Sequence, residues 1–154
     1  MKEKVKRLER FLNRSVVNGR VIEMSGEVSS ADQAAEKLGT RPENIVKSLV
    51  FMVEEEPVVV VVPGNSRVSE EKLAELFEVE EEDVRIASPD EVEEITGYKV
   101  GEVPPVSLNL PKVVDNAVIG EEEVYGGGGS RHHLLEVDPR YLVDEDTTVD
   151  DVVR

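Results

Sequence analysis

Ile45-Val46-Lys47-Ser48-Leu49-Val50-Phe51-Met52-Val53, followed after Glu54-Glu55-Glu56-Pro57 by Val58-Val59-Val60-Val61-Val62, is the stretch that decides the fold. Two β-rich runs joined by a short acidic, proline-marked link predict a hairpin. Five consecutive valines predict a strand covered on both faces, hence a central one. In the first run side chains alternate, so Ile45, Lys47, Leu49 and Phe51 share one face and Val46, Ser48, Val50 and Met52 the other. A lysine in line with Ile, Leu and Phe loses hydration unless it reaches a rim or an acceptor. Either Lys47 snorkels to water at a strand end, or it is a cationic anchor at the mouth of a ligand pocket. The pattern leaves both open.

Working outward, turn and cap signals divide the remainder. Val5, Leu8, Leu12 and Val16 fall at helical spacing, with basic groups on the other flank. Arg20 to Met24 reads as a short strand. Ser30 is placed to cap a helix that Gly39 stops, and Ser69 to cap one carrying Leu73, Leu76 and Phe77. Val84 to Ala87 reads as a strand, and Ser88-Pro89-Asp90-Glu91 supplies a cap, an N1 proline and a capping-box Glu for a helix ending near Thr96-Gly97. Tyr98 to Leu110 shows no period and reads as a loop. Val113 to Asp115, Glu123 to Tyr125 and His133 to Val137 read as strands, the last two joined across Gly126 to Gly129. Asp138-Pro139 opens a final helical turn. Strands and helices intermix without a βαβ rhythm, which predicts an α+β single domain with a curved, mixed, partly barrel-like sheet flanked by helices. The 154 residues are expected to form that one domain, with a basic helix over residues 1–18 packed on it.

Charge narrows the partners. The net charge is −16, yet residues 1–14 carry a local +4, which leaves −20 for the remainder. Such a surface repels nucleic acid in general, so no DNA is expected, and any RNA must be gripped at a few local basic points. With no cysteine there is no disulfide, Cys-bound metal or thiol nucleophile. The longest purely apolar run, Val58 to Val62, is far too short for a membrane span, and there is no apolar leader. A cytoplasmic protein without membrane partners is the expectation.

Several constellations could carry chemistry. Gly101-Glu102-Val103-Pro104-Pro105 sets a glycine, whose backbone can approach a ligand, beside a stiff proline pair; a surface connection is the plainer alternative. Gly126 to Gly129 with Ser130 lacks the Lys-Ser/Thr ending of a P-loop and precedes a strand, so a flexible hairpin turn is the default. His132 and His133 face opposite ways on a strand and cannot share one metal. His132, nearer the glycines, is the one expected to line a pocket, against the alternative of an ordinary surface histidine.

Taken in order, Ala31-x-x-Ala34-Ala35-x-x-Leu38-Gly39, Ile45-Val46-Lys47-Ser48-Leu49-Val50-Phe51, Val62-Pro63-Gly64-Asn65 and Lys72-Leu73 resemble the YbaK-type aminoacyl-tRNA deacylases. So do Thr96-Gly97-Tyr98-x-Val100-Gly101-x-x-x-Pro105 and Gly128-Gly129-Ser130. The family includes free-standing deacylases and the editing insertion of bacterial prolyl-tRNA synthetases. The resemblance implies a hydrolase of translation that removes a wrongly attached small amino acid, such as Cys or Ala, from a tRNA, with tRNA-Pro the expected carrier. It implies catalytic roles for Lys47 and Gly101, and substrate contacts from Ser30, Ser48, Asn65, Pro105, Gly129, Ser130 and His132. Arg67, Lys72, Lys99 and Arg131 are the expected RNA contacts beside Lys47, with the basic N-terminal helix as a further candidate. The partners implied are the tRNA 3′ acceptor end and, as a further candidate, prolyl-tRNA synthetase. Water attack assisted by the substrate's own ribose hydroxyl needs no metal or cofactor. Glu102 and Val106 depart from the family pattern, which often has a second glycine and an aromatic there. That departure keeps an alternative open: a non-catalytic interaction module of the same fold, docking on a synthetase or RNA.

Overall fold

The computed structural model describes residues 2–154, with side chains from residue 3. In chain order the regular elements are α1 (Lys2–Arg14), β1 (Gly19–Glu23), α2 (Ala31–Leu38), β2 (Val46–Val53), β3 (Glu56–Pro63), α3 (Glu70–Phe77), β4 (Val84–Ile86) and α4 (Pro89–Thr96). There follow β5 (Lys112–Asp115), α5 (Asn116–Ile119), β6 (Val124–Gly127), β7 (His133–Val137) and β8 (Thr147–Asp150). The fold is α+β and forms a single domain. None of the described helices is long and apolar enough to cross a membrane.

The valine strand sits where its composition sends it. The larger sheet runs β4-β2-β3-β5-β8, so β3 is central, antiparallel to β2 and parallel to β5. Val59 and Val61 pack with Leu8, Leu135 and Leu142 on one face, whereas Val58, Val60 and Val62 pack with Leu73, Ala74 and Val152 on the other. Each fully buried valine contributes about 1.5–3 kcal/mol relative to an exposed one. The second sheet, β1-β7-β6, is antiparallel. It meets the first at a parallel bridge between Ile45 and Tyr125. The strands thus divide between two abutting sheets.

Capping chemistry fixes the helix ends. Ser30, Ser69 and Ser88 accept hydrogen bonds from the backbone N–H groups of Gln33, Lys72 and Glu91, and Glu91 completes a reciprocal box. Gly39 and Gly97 close α2 and α4 in the left-handed region.

Three expectations need correction. Val16 lies beyond the end of α1 and is 89% exposed, because the chain turns at Ser15 before the next apolar position comes round. Gly126 and Gly127 belong to β6 and pair with Leu135 and Leu134; they are not a turn. Finally, α5 and β8 went unforeseen: four-residue elements carry too little pattern, and β8 exists only through parallel pairing with β5.

Candidate functional site

The site forms at an unequal sheet edge. Strand β2 pairs with β3 along its whole length, but β4 covers it only at Phe51–Val53. Beside Val46 to Leu49 the chain therefore opens into a cleft of about 300 Å³. Because the cleft wraps a strand edge, Lys47 and Ser48 both line it although they point to opposite faces. Gly101, Val103, Gly126 and Gly127 line the same cleft, as do Ser30, Ser130, Arg131 and His133.

Lys47 is half-buried. Burial, and then the nearby positive charge of Arg67, push its pKa below the ordinary lysine value. No carboxylate or hydrogen bond among the described residues offsets that shift. A half-buried cation of this kind is stabilised by any negative charge placed beside it. Ser48 adds an independent sign: its Oγ is buried and has no hydrogen-bond partner among the described residues. Such an orphan costs about 1–3 kcal/mol, so it calls for a reason.

The Gly101–Pro105 loop is held by backbone contacts. Gly101 adopts φ +87°, and a Cβ there would touch nothing within 4 Å. Its N–H has no acceptor among the described residues. Glycine at 127 answers to contact instead, since a Cβ there would come 2.7 Å from the Val103 carbonyl carbon and 2.8 Å from that of Glu102. A Cβ at Gly126 would meet Pro105 Cδ at 3.1 Å. The glycine run thus lets one backbone lie directly on another. Gly129 N–H then donates to the Glu102 carbonyl at 3.1 Å, tying the two loops together.

The sequence candidates separate accordingly. Lys47, Ser48, Gly101, Ser30, Ser130 and Arg131 come together around the cleft. Ser30 Oγ also caps α2, accepting from Gln33 N–H at 3.1 Å. Pro105 and Gly129 support the wall and do not line it; Asn65 is exposed just past Gly64, which does. Arg67 acts on Lys47 through its charge. Lys99 is exposed, whereas Lys72 is bound to Asp151 at 2.9 Å and to the Val153 carbonyl at 2.7 Å. His133, rather than His132, lines the cleft, and its Nδ1 lies 2.7 Å from Ser130 Oγ. His133 is in phase with the buried Leu135 and Val137, a period-two signal that could have selected it. Sequence reasoning also missed Lys112, a buried lysine whose Nζ donates to the Pro105 carbonyl at 2.9 Å.

These features define an α+β domain with a cleft lined by a half-buried lysine. A family model described as an aminoacyl-tRNA editing domain matches residues 25–145, and the chain belongs to that family. It is 33% identical over 130 residues to the proline–tRNA ligase of Pediococcus pentosaceus, a match covering 81% of this chain and 22% of the ligase. For the Thermotoga maritima ligase the figures are 31% over 121 residues, 77% and 21%. The chain thus spans about a fifth of the length of these ligases. With the uncharacterized protein YwhH of Bacillus subtilis it shares 32% identity over 125 residues, covering 79% of this chain and 78% of that one. Among solved structures, a candidate trans-editing enzyme for prolyl tRNA synthetase superposes with a TM-score of 0.87 at 31% identity, over 98% of this chain and 97% of that one.

Proposed function

We propose that the protein is a trans-editing hydrolase that removes a small, wrongly attached amino acid such as Cys or Ala from a tRNA, tRNA-Pro being the preferred carrier. The work is cytoplasmic, at the tRNA 3′ acceptor end, with prolyl-tRNA synthetase as the enzyme whose errors it clears. The observation that carries this reading is Lys47: a half-buried cation with no offsetting carboxylate among the described residues, lining the same cleft as Gly101, whose N–H has no acceptor among them.

An aminoacyl ester is already activated, so hydrolysis needs placement and charge stabilisation more than a strong nucleophile. Water adds to the ester carbonyl carbon, and the Lys47 ammonium and Gly101 N–H hold the negative charge that develops on its oxygen. The carbon–oxygen bond to the terminal ribose then breaks. The ribose oxygen takes up the proton that the water gives up, passed across the neighbouring ribose hydroxyl. The products are the free amino acid and a tRNA with an intact 3′ end. A cleft of about 300 Å³ is small for a ligand site, which suits a short side chain. A methylene is worth only about 1–3 kcal/mol in binding discrimination, so a second sieve of this kind has work to do after synthesis.

Deacylation of cysteinyl- and alanyl-tRNA-Pro, without any partner protein, tests the reading. Lys47→Ala is expected to slow turnover by about 10²–10³-fold, the range for losing one charge-stabilising group. Equal rates for the two proteins, or no turnover by the parent, would defeat it.

A further inference from the structure

Helix α1 has two unlike faces. Val5 and Leu8 are buried, and Phe11 and Leu12 pack against the core beside them. On the opposite side Lys6, Arg7, Arg10 and Arg14 are exposed. At 3.6 residues per turn these four fall in one stripe, with Glu3 at its start. Lys6, Arg10 and Arg14 follow one another at steps of about 6 Å along the axis.

The position of the helix gives that stripe its meaning. The Arg7 guanidinium lies 4.8 Å over the Tyr98 ring, Lys4 pairs with Glu93 at 3.7 Å, and the backbone at Lys4 and Val5 lies against Gly129. Tyr98 leads into Val100 and Gly101, and Gly129 into Ser130 and Arg131, all of which line the cleft. Helix α1 therefore spans the two segments that build one wall of the site. Its outer stripe is the concentrated positive charge of a chain that is otherwise −20.

We propose that Lys6, Arg10 and Arg14, with Arg7 behind them, form a docking surface for the phosphate backbone of an RNA double helix whose 3′ end enters the cleft. The proposal rests on the editing reading for the occupant of the cleft and adds where the stem lies. The acidic remainder of the chain repels a polyanion, so a basic stripe orients the stem as well as holding it. A lipid surface is the poorer match, because the apolar face that would enter a membrane is already buried in the protein.

The test is direct binding of a deacylated acceptor-stem minihelix ending in CCA to the full chain, measured by fluorescence anisotropy over a salt series. Lys6→Gln/Arg10→Gln/Arg14→Gln is expected to raise Kd at least about tenfold and to flatten the log Kd against log salt slope by about 2–3. A control removes the same charge at Arg20→Gln/Arg41→Gln/Arg140→Gln, whose guanidiniums are already paired with Glu136, Glu121 and Asp138. It is expected to leave Kd within about twofold. An unchanged slope in the α1 variant, an equal loss in the control, or binding of anionic vesicles but not of the minihelix overturns the proposal. Failure of the editing reading registers separately, as an intact aminoacyl ester on an RNA that still binds through the stripe.

Discussion

The Lys112 ammonium and the Pro105 carbonyl oxygen are joined by a 2.9 Å hydrogen bond in the loop that lines the cleft together with Lys47. Lys112 is buried at the start of β5, and Pro105 rests on Gly126 from the other side. The Gly101–Pro105 loop is thus pinned between a buried cation and a glycine strand, and the Gly101 amide owes its position to both.

Replacing Lys112 with Met separates this tie from simple packing. The Pro105 carbonyl loses its donor, at a cost of about 1–3 kcal/mol, and deacylation is expected to fall with it. Burial lowers the Lys112 pKa, with Asp144 opposing. In the interval below the ordinary lysine value the unfolded chain then holds more protons than the folded one, so stability rises with pH there. Chemical denaturation of parent and variant should diverge in the parent's favour as pH climbs into that interval. A constant gap would mean that Lys112 is not the titrating group.

Arg67 contributes to the depressed pKa of Lys47 by charge repulsion. Arg67→Gln removes that repulsion, so the Lys47 pKa rises. The alkaline limb of the deacylation profile is expected to move to higher pH, because the ammonium survives further. A limb that stays in place in Arg67→Gln would detach it from Lys47.

Ser48→Ala is expected to stabilise the protein by about 1 kcal/mol, since it deletes a buried hydroxyl with no partner among the described residues. The same change should raise KM for the aminoacyl-tRNA, the trade expected of a group kept for ligand and not for folding. Thermal unfolding and steady-state kinetics on one preparation read both effects.

Gly101→Ala and Gly127→Ala should fail for different reasons. At 101 the space is open and the strain comes from φ +87°, worth about 1–3 kcal/mol. At 127 the methyl would run into the Val103 and Glu102 backbone, so the loop must lift from β6. Gly127→Ala is therefore expected to lose activity even where it stays folded, which circular dichroism and deacylation together would reveal.

Much of this was legible in the chain. The caps at Ser30, Ser69 and Ser88 depend on a hydroxyl three residues before the amide it serves, and local spacing reveals that directly. The doubly covered β3 could be read because valine on every position leaves no solvent face. The short β8 could not, because its partner β5 lies far along the chain, and neither could the need for glycine in β6. Gly127 is glycine on account of Val103, twenty-four residues earlier. His133 against His132, and Lys72 spent on Asp151, are likewise decided by what another segment brings alongside.

The sequence by itself determined the local elements, the central valine strand and the presence of a lysine among apolar neighbours, since all three follow from period, caps and burial cost. Only the tertiary structure decided which residues share a cleft with that lysine. The short reach of β4 leaves the edge of β2 open, and the Gly101 loop is laid across the gap by contacts with β5 and β6. Distances between segments remote in sequence depend on how whole sheets pack, and no local pattern encodes them.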